Sequence, residues 1–322
     1  MEIIRDSKDI PSRPRKPILT IGNFDGVHVG HQFIFRNVAQ QADAVGGTSI
    51  AFTFEPHPLK ILDPEHLPPR LTTANQKLDI MGQCGLDMAI CVDFTREFSR
   101  LAPEEFVHEY LCKRLAVSEV FVGEGFAFGR DRTGSIATLR SLSQTCGFQV
   151  NVAAPVKLGP HRVSSTLVRQ WVEEGRVDEA APLLNRLYTL VGKVAQGASR
   201  GAALGFPTAN LLPGEQLLPK RGVYAAYIGW RGMELRGVVN VGVAPTFAGE
   251  QVLVEAHLFD FHRDLYGETL EVGFVKRLRD ERKFPQVEDL VAQIRRDAED
   301  AQALFSSLER EPLRWGLRIR NL

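Results

Sequence analysis

The order of hydrophobic and polar positions divides the chain into two parts. In the first part, short apolar or β-branched runs recur at 17–21, 48–54, 88–94, 119–123 and 148–154. Amphipathic stretches with helical spacing lie between them at 31–43, 103–115 and 135–146. Apolar runs that alternate with helices are typical of parallel strands covered on both faces. The first part therefore predicts an α/β domain with a doubly wound parallel sheet.

After Arg186 the pattern changes, because strands now follow one another across glycine-containing turns. These strands are predicted at 188–194, 222–229, 235–242, 252–261 and 269–275. Consecutive strands without helices between them indicate an antiparallel β-barrel. One long helix is predicted near the end of the chain, from apolar residues at helical spacing: Val287, Leu290, Ile294, Ala298, Ala301 and Leu304. We expect two domains, 1–186 and 187–322.

Length, composition and charge limit the number of domains and the kinds of macromolecule that the chain is expected to bind. The 322 residues favour two domains, and 44% hydrophobic with 24% charged residues is ordinary for a folded chain. Lys plus Arg equals Asp plus Glu at 39 each, so no overall positive charge favours nucleic acid or anionic lipid. The basic stretch 276–284 carries interleaved acids, which favours a folded loop and helix start. We expect no nucleic-acid partner.

The first residues and the cysteines bear on location and redox state. The first ten residues lack the features of a secretory signal, and no run approaches the roughly 20 apolar residues that span a bilayer. We expect a cytoplasmic protein that does not bind a membrane. The cysteines fall at irregular separations and form no C-x-x-C pair, which predicts reduced structural thiols and no metal site: Cys84, Cys91, Cys112 and Cys146.

The segment 17–32 runs from a strand through a glycine-rich turn into a helix, a geometry that suits phosphate. Gly22, Gly26 and Gly30 permit close backbone approach, and the helix start offers unpaired N–H groups. His28 and His31, three residues apart, can direct donors at one anion. The alternative is that this H-x-x-H pair is accidental, and metal binding would need a further ligand.

Three further segments bear on the same predicted site. In 163–169, Ser164 and Ser165 are candidates to cap a helix, while Arg169 is placed to face a phosphate. The alternative is that the two serines only cap the helix, which would explain their presence but not that of Arg169. The segment 53–58 follows a strand end, where open α/β sheets bind ligands. The segment 125–134 sets aromatic residues among glycines and arginines, although by itself it reads better as an exposed hairpin loop.

The second part has its own candidate chemistry. The glycine-rich stretch 192–210 predicts a loop folded around phosphates, and Thr208 and Asn210 present oxygens suited to Mg²⁺. The alternative is a turn stabilised after a proline. In strand 252–261, Glu255 lies with His257 on the face opposite the apolar residues. Glu255 is either a solvated surface carboxylate or the base that a kinase requires.

Taken in order, these segments resemble the bifunctional riboflavin kinase/FAD synthetase family of bacteria over nearly the whole chain. The segments that carry the resemblance are G-N-F-D-G-V-H-V-G-H, V-S-S-T-L-V-R, G-F-P-T-A-N, R-G-V-Y-A, N-V-G-V-A-P-T-F, V-E-A-H-L-F-D-F and D-L-Y-G. The resemblance implies a Rossmann-like nucleotidyltransferase domain followed by a riboflavin kinase barrel. It implies that riboflavin is phosphorylated to FMN, and that FMN then attacks the α-phosphate of ATP to give FAD and pyrophosphate, with Mg²⁺ bound to ATP.

The resemblance also implies roles for individual residues. The catalytic residues would be Glu255, His28 and His31. The ATP and phosphate contacts would be Gly22, Asn23, Phe24, Gly26, Gly30, Ser164, Ser165, Thr166, Arg169, Gly197 and Gly205. The flavin contacts would be Phe54, His57, Pro58, Phe126, Phe128 and Arg132, and the metal ligands Thr208 and Asn210. The chain departs from the family at Gly125, where Asp or Asn is usual, and at Ala202, where Arg is common.

Other functions compete with this one. One of the two activities alone is the nearest alternative, and Gly125 makes the adenylyltransferase the half at risk. A flavin carrier without catalysis would not need His28, His31, Arg169 and Glu255 together. A nucleotidyltransferase with another acceptor would leave the kinase segments unexplained. A transient homo-oligomer that brings the two sites together stays open.

Overall fold

The structure is a computed structural model of the chain. It describes residues 1–5, 14–195, 201, 204–212, 214–246 and 249–310. The chain divides into two compact units. The first unit comprises Met1–Pro68 and Ala74–Ser164, and the second comprises Pro69–Thr73 and Ser165–Leu322.

The first unit is built on one parallel sheet. Its strands are β1 (Glu2–Ile4), β2 (Pro17–Ile21), β3 (Thr48–Glu55), β4 (Met88–Asp93), β5 (Glu119–Gly123) and β6 (Gln149–Ala153). They lie in the order β1-β4-β3-β2-β5-β6, and every neighbouring pair is parallel. The predicted doubly wound sheet is confirmed. The edge strand β1 was not predicted.

Helices connect these strands. They are α1 (Val29–Val45), α2 (Pro58–Leu62), α3 (Ala74–Gln83), α4 (Arg96–Ser99), α5 (Pro103–Phe106) and α6 (Ile136–Cys146). A π-helix (Val107–Arg114) continues α5, and 3₁₀ turns cover Pro64–His66 and Arg130–Arg132. A hairpin of β7 (Lys157–Leu158) and β8 (His161–Arg162) lies near the end of the unit. Pro103 occupies the first turn of α5, where its missing N–H costs nothing.

The sheet is buried because its central strands are apolar on both faces. All five residues of β2 are buried, as the uninterrupted apolar run predicts. Aromatic rings fill the space beside β3: Phe52 packs edge-on against Phe106 and Tyr110 at 5.6 and 5.9 Å between centroids. This core holds the carboxyl ends of β2 and β3 in fixed positions, and the candidate residues of the first unit follow those ends.

The prediction that all four cysteines are reduced is wrong for one pair. Cys112 and Cys146 form a disulfide, with their Cα atoms 5.6 Å apart. They lie 34 residues apart in sequence, and only the packing of the π-helix against α6 brings them together. Sequence spacing carries no information about such a contact. Cys84 and Cys91 form no disulfide in the described part of the chain.

The second unit contains a closed antiparallel barrel, as predicted. Its strands are β9 (Tyr188–Ala195), β10 (Ala209–Leu212), β11 (Gly222–Trp230), β12 (Met233–Thr246), β13 (Gly249–Leu258) and β14 (Thr269–Arg279). Their order is β10-β13-β12-β11-β14-β9, and pairing of β9 with β10 closes the barrel. The prediction missed β10, because it assigned Ala209 and Asn210 to a loop folded around phosphates. It also extended β13 to residue 261, whereas the strand ends at Leu258.

Helices also belong to the second unit: α7 (Ser165–Glu173), α8 (Val177–Leu184) and α9 (Val287–Arg310). The predicted terminal helix is confirmed as α9, which packs against β11, β12 and β14. In packing terms α7 and α8 belong with the barrel, since α8 contacts β9 and β14. The functional boundary expected after Arg186 stays a prediction. Within the described ranges no helix is long and apolar enough to cross a membrane.

Candidate active sites

The turn after β2 has an unusual backbone. Phe24, Gly26 and Val27 adopt φ angles of 52°, 79° and 39°. This region is uncommon for a β-branched residue, so Val27 stores strain that its surroundings must offset. Val27 is fully buried, and the side-chain amide of Gln32 donates to its carbonyl at 2.8 Å. Strain of this kind concentrates at ligand sites.

The two predicted catalytic histidines stack on each other at the start of α1. Their ring centroids lie 3.6 Å apart with planes 17° from parallel. His28 caps the helix, because its Nδ1 accepts a hydrogen bond from the backbone N–H of His31 at 3.3 Å. In neutral His28 the proton is therefore on Nε2. The structure confirms that the two side chains lie together.

His31 is held in its neutral form. Burial, then the neighbouring His28 and Lys77, hold the pKa of His31 well below its usual value of 6.5. Its Nδ1 is buried and has no hydrogen-bond partner in the described part of the chain. A neutral imidazole with an unused nitrogen at a helix N-terminus suits a phosphate or its bound proton.

Close contacts leave little room for a side chain at two glycines of this segment. A Cβ on Gly30 would lie 3.1 Å from the His28 ring, and a Cβ on Gly22 would lie 2.9 Å from the Phe24 ring. At Gly125, by contrast, an added Cβ would meet nothing within 4 Å. A Cβ atom at Gly125 is therefore accommodated without a close contact.

The predicted flavin residues at the end of β3 lie beside the phosphate turn. His57 Nε2 is 3.4 Å from the Asn23 side-chain amide, and its Nδ1 accepts from the N–H of Leu59 at 3.2 Å. Pro58 is the first residue of α2. The structure thus brings Asn23 and His57 together although 34 residues separate them.

The aromatic candidates after β5 differ in exposure. Phe126 and Phe128 stack at 5.3 Å between centroids, but Phe128 is only 8% exposed and packs against Phe106. Phe128 therefore serves the core, while the half-buried Phe126 has surface to offer a ligand. Arg132 is exposed in the turn that follows. Flavin contact by these residues stays a prediction.

Lys77 on α3 was missed by the sequence reasoning. It is 4% exposed, and its Nζ donates to the Phe54 carbonyl at 3.0 Å and to the Thr53 hydroxyl at 3.2 Å. A weaker bond of 3.4 Å reaches the Asn23 carbonyl. A signal existed in the sequence, because Lys77 lies four residues before buried Met81 and so on the apolar face of its helix.

The 163–169 segment includes the last residues of the first unit and, from Ser165 onward, the start of α7 in the second unit. Ser164 precedes the helix, and Ser165 and Thr166 are its first two residues. Arg169 donates from Nε to the Pro69 carbonyl at 2.7 Å. The predicted helix is confirmed; the phosphate roles of these residues stay predictions.

In the barrel, Glu255 lies at the centre of a polar row. It is the register partner of Asn210 on β10 and of Asn240 on β12. Partners directly opposite in antiparallel strands project from the same face, so the carboxylate is flanked by two amides. All three side chains are half-buried, whereas the flanking Val254 and Ala256 are fully buried. Asn240 was not named as a site residue, because its alignment with Glu255 depends on strand register.

The segment before β10 is fastened to β13. His257 Nδ1 lies 2.9 Å from the Pro207 carbonyl, which accepts only, so the proton is on Nδ1. The hydroxyl of Thr208 lies against Gly201, where an added Cβ would be 3.2 Å away. Gly205 has φ 86°, a conformation that favours glycine. Gly197 and Ala202 lie outside the described residues.

A cavity of about 390 Å³ opens beside Thr208. Its lining combines Pro207, Thr208 and Ala209 with the segment Phe261–Tyr266 that follows β13. A volume of this size is within the range of small-molecule sites.

Comparison with known proteins relates both halves to flavin enzymes. A family model described as FAD synthetase matches residues 10–167, and one described as riboflavin kinase matches residues 184–305. The bifunctional riboflavin kinase/FMN adenylyltransferase of Escherichia coli (strain K12) is 36% identical over 95% of this chain and 98% of that protein. The chain belongs to this family. The enzyme of that name from Haemophilus influenzae is 37% identical over 90% of this chain and 94% of its own length.

A solved structure has the same fold over nearly the full length of the chain. It is titled a macrolide-efflux protein from Streptococcus pneumoniae, and it superposes with a TM-score of 0.86 at 31% identity. The match covers 94% of this chain and 99% of that one.

Proposed function

We propose that this chain converts riboflavin to FMN in its barrel and FMN to FAD in its α/β unit, using ATP in both steps. The proposal is supported by family membership together with a retained set of reactive side chains in each unit. The single observation that carries most weight is the register of Glu255 between Asn210 and Asn240. A carboxylate in a fixed polar row is what the kinase step needs.

In the kinase step, the 5′-hydroxyl of riboflavin attacks the γ-phosphorus of ATP and ADP leaves. Glu255 accepts the hydroxyl proton, and the amides of Asn210 and Asn240 orient the groups around it. We propose that the cavity beside Thr208 binds the nucleotide. The oxygens of Thr208 and Asn210 fit a hard divalent cation, and Mg²⁺ bound there would neutralise phosphate charge.

In the adenylyl-transfer step, a phosphate oxygen of FMN attacks the α-phosphorus of ATP, and pyrophosphate leaves. No protein nucleophile is needed. The stacked His28 and His31 donate hydrogen bonds to the charge that develops, and the start of α1 adds its N–H groups. Asn23 follows the end of β2 and His57 follows the end of the neighbouring strand β3, and their side chains lie 3.4 Å apart. Both are proposed to orient the substrates.

The remaining parts of the proposal concern the location of the enzyme, its cofactor, its partners and its further phosphate contacts. We infer a cytoplasmic enzyme that needs Mg²⁺ with ATP and has no nucleic-acid partner. Ser164, Ser165, Thr166 and Arg169 are proposed to contact phosphates. The barrel alone is proposed to hold the kinase activity.

Separation of flavins by chromatography tests the function. Purified protein is incubated with riboflavin, ATP and Mg²⁺, and in parallel with FMN, ATP and Mg²⁺. We expect FAD from both mixtures. FMN as the final product of the first mixture, with no FAD from the second, would limit the function to the kinase. No product in either mixture would favour a flavin carrier.

A further inference from the structure

A buried ammonium group lies where the phosphate turn meets the end of β3. Lys77 is 4% exposed, and buried lysines are rare unless their charge is compensated. Its acceptors come from two segments: the Asn23 carbonyl in the turn after β2, and Thr53 and Phe54 at the end of β3. One side chain on α3 therefore joins both segments that carry candidate ligand contacts.

The link is reinforced by other bonds between the same segments. The Thr53 hydroxyl donates to the Asn23 carbonyl at 3.3 Å, and the N–H of Gly22 donates to the Phe52 carbonyl at 3.1 Å. The backbone of the turn is strained at Phe24 and Val27, so it needs such ties to keep its conformation. Without the ammonium, the carbonyls of Asn23 and Phe54 would lose a common donor.

Lys77 places a positive charge beside the phosphate turn. The carboxylate of Glu55 lies 3.8 Å from Nζ and forms an ion pair with it, which compensates the charge of this buried group. The hydroxyl of Thr53 and the carbonyl of Phe54 lie closer to Nζ and accept its hydrogen bonds. Lys77 also contributes to the lowered pKa of His31.

We infer that Lys77 is a positioning residue for adenylyl transfer: it holds the 22–27 turn in its phosphate-binding conformation against the end of β3. The inference rests on the proposed FMN adenylyltransferase function of the first unit. It assigns to Lys77 an effect on the rate of the transfer step through the turn, without contact with the reacting atoms.

The test compares Lys77→Ala and Lys77→Gln with Lys113→Met, a change at an exposed lysine of the same unit. The full chain is assayed for FMN adenylylation and, as an internal control, for riboflavin phosphorylation. We expect kcat for FMN adenylylation to fall on the order of 100-fold in Lys77→Ala, because small displacements of positioned groups have effects of that size. KM for FMN should change by less than about threefold, since that binding surface is kept. Lys113→Met should match the parent protein.

Chemical rescue distinguishes positioning from a loss of folding. Ethylammonium should restore part of the lost kcat in Lys77→Ala, whereas tetramethylammonium, which has no N–H group, should not. Lys77→Gln keeps a donor, so it provides the folded variant if Lys77→Ala does not fold; we expect it to lose kcat by about tenfold. A folded variant with the parent kcat, or a loss of stability with no change in kcat, overturns the inference. A parent protein that makes no FAD from FMN overturns the proposed function and the inference with it.

Discussion

At the scale of single residues, the His28 ring packs closely against Gly30 and leaves little room there for a side chain. A Cβ at Gly30 would approach the His28 ring to 3.1 Å, which is closer than ordinary van der Waals contact. The His28 ring would have to move by a few tenths of an ångström, and its stacking on His31 would change. The geometry of the pair therefore depends on this glycine.

We predict that Gly30→Ala lowers the rate of FMN adenylylation by about tenfold or more, because the donors would be displaced from the developing charge. Riboflavin phosphorylation should be unchanged. Gly82→Ala in α3 is the matched control, since the nearest atoms to its added Cβ, those of the Met1 side chain, lie at ordinary contact distances of 3.4 Å or more. Pyrophosphate release from FMN and ATP measures the effect. Equal rates in the two variants would contradict the role given to the His28 ring.

At the scale of elements, the disulfide ties the π-helix Val107–Arg114 to α6. A cross-link that closes a loop of this length stabilises by about 3–4 kcal/mol through the entropy of the unfolded chain. We predict that Cys146→Ser or reduction speeds amide hydrogen exchange in both helices, measured by mass spectrometry. Cys84→Ser serves as the control. Unchanged exchange after reduction would show that packing alone fixes the two helices.

A second element, α9, is fastened to the barrel by a buried ion pair. Arg279 on β14 donates through Nε and Nη2 to both oxygens of Asp297, at 2.8 and 2.7 Å. Asp297 is 4% exposed, and Gln293 also donates to it. Breaking one side of such a pair leaves an uncompensated charge, which is more costly than the pair itself is stabilising.

We predict that Asp297→Asn lowers the free energy of unfolding of the second unit by about 3 kcal/mol. Tryptophan fluorescence during urea denaturation follows this unit, because Trp171 in α7 and Trp230 in β11 both belong to it. Asp300→Asn, an exposed change on the same helix, should have little effect. A similar midpoint for both variants would mean that the apolar contacts around Phe305 hold α9 without the ion pair.

At the scale of the whole molecule, the two proposed reactions use different sets of residues, with Glu255 assigned to one and His28 to the other. Glu255→Gln should reduce riboflavin phosphorylation by about 10²- to 10⁴-fold and leave FAD formation from FMN intact. His28→Ala should have the opposite effect. Because FMN is free to diffuse, a mixture of the two variants should make FAD from riboflavin, whereas neither does so alone. Glu234→Gln, an exposed change in the barrel, is the control. Failure of the mixture would indicate that the two steps are not independent.

Much of this protein follows from its sequence alone. The apolar runs predicted β2 and β5 with their bounds, and β3, β4 and β6 to within one residue at each end, because burial on both faces imposes an uninterrupted apolar pattern. The change of pattern after Arg186 predicted the barrel. The order of local motifs identified the family, which the comparisons confirm. These features are encoded in neighbouring residues.

Tertiary structure decided the rest. The pairing of Cys112 with Cys146, the row of Asn210, Glu255 and Asn240, and the contacts of Lys77 each join residues that are distant in sequence. Hydrophobic periodicity reports which face of an element is buried, but it does not report which element covers that face or in what register. The sequence therefore determined the elements and the family, and only the packing of those elements decided which side chains meet.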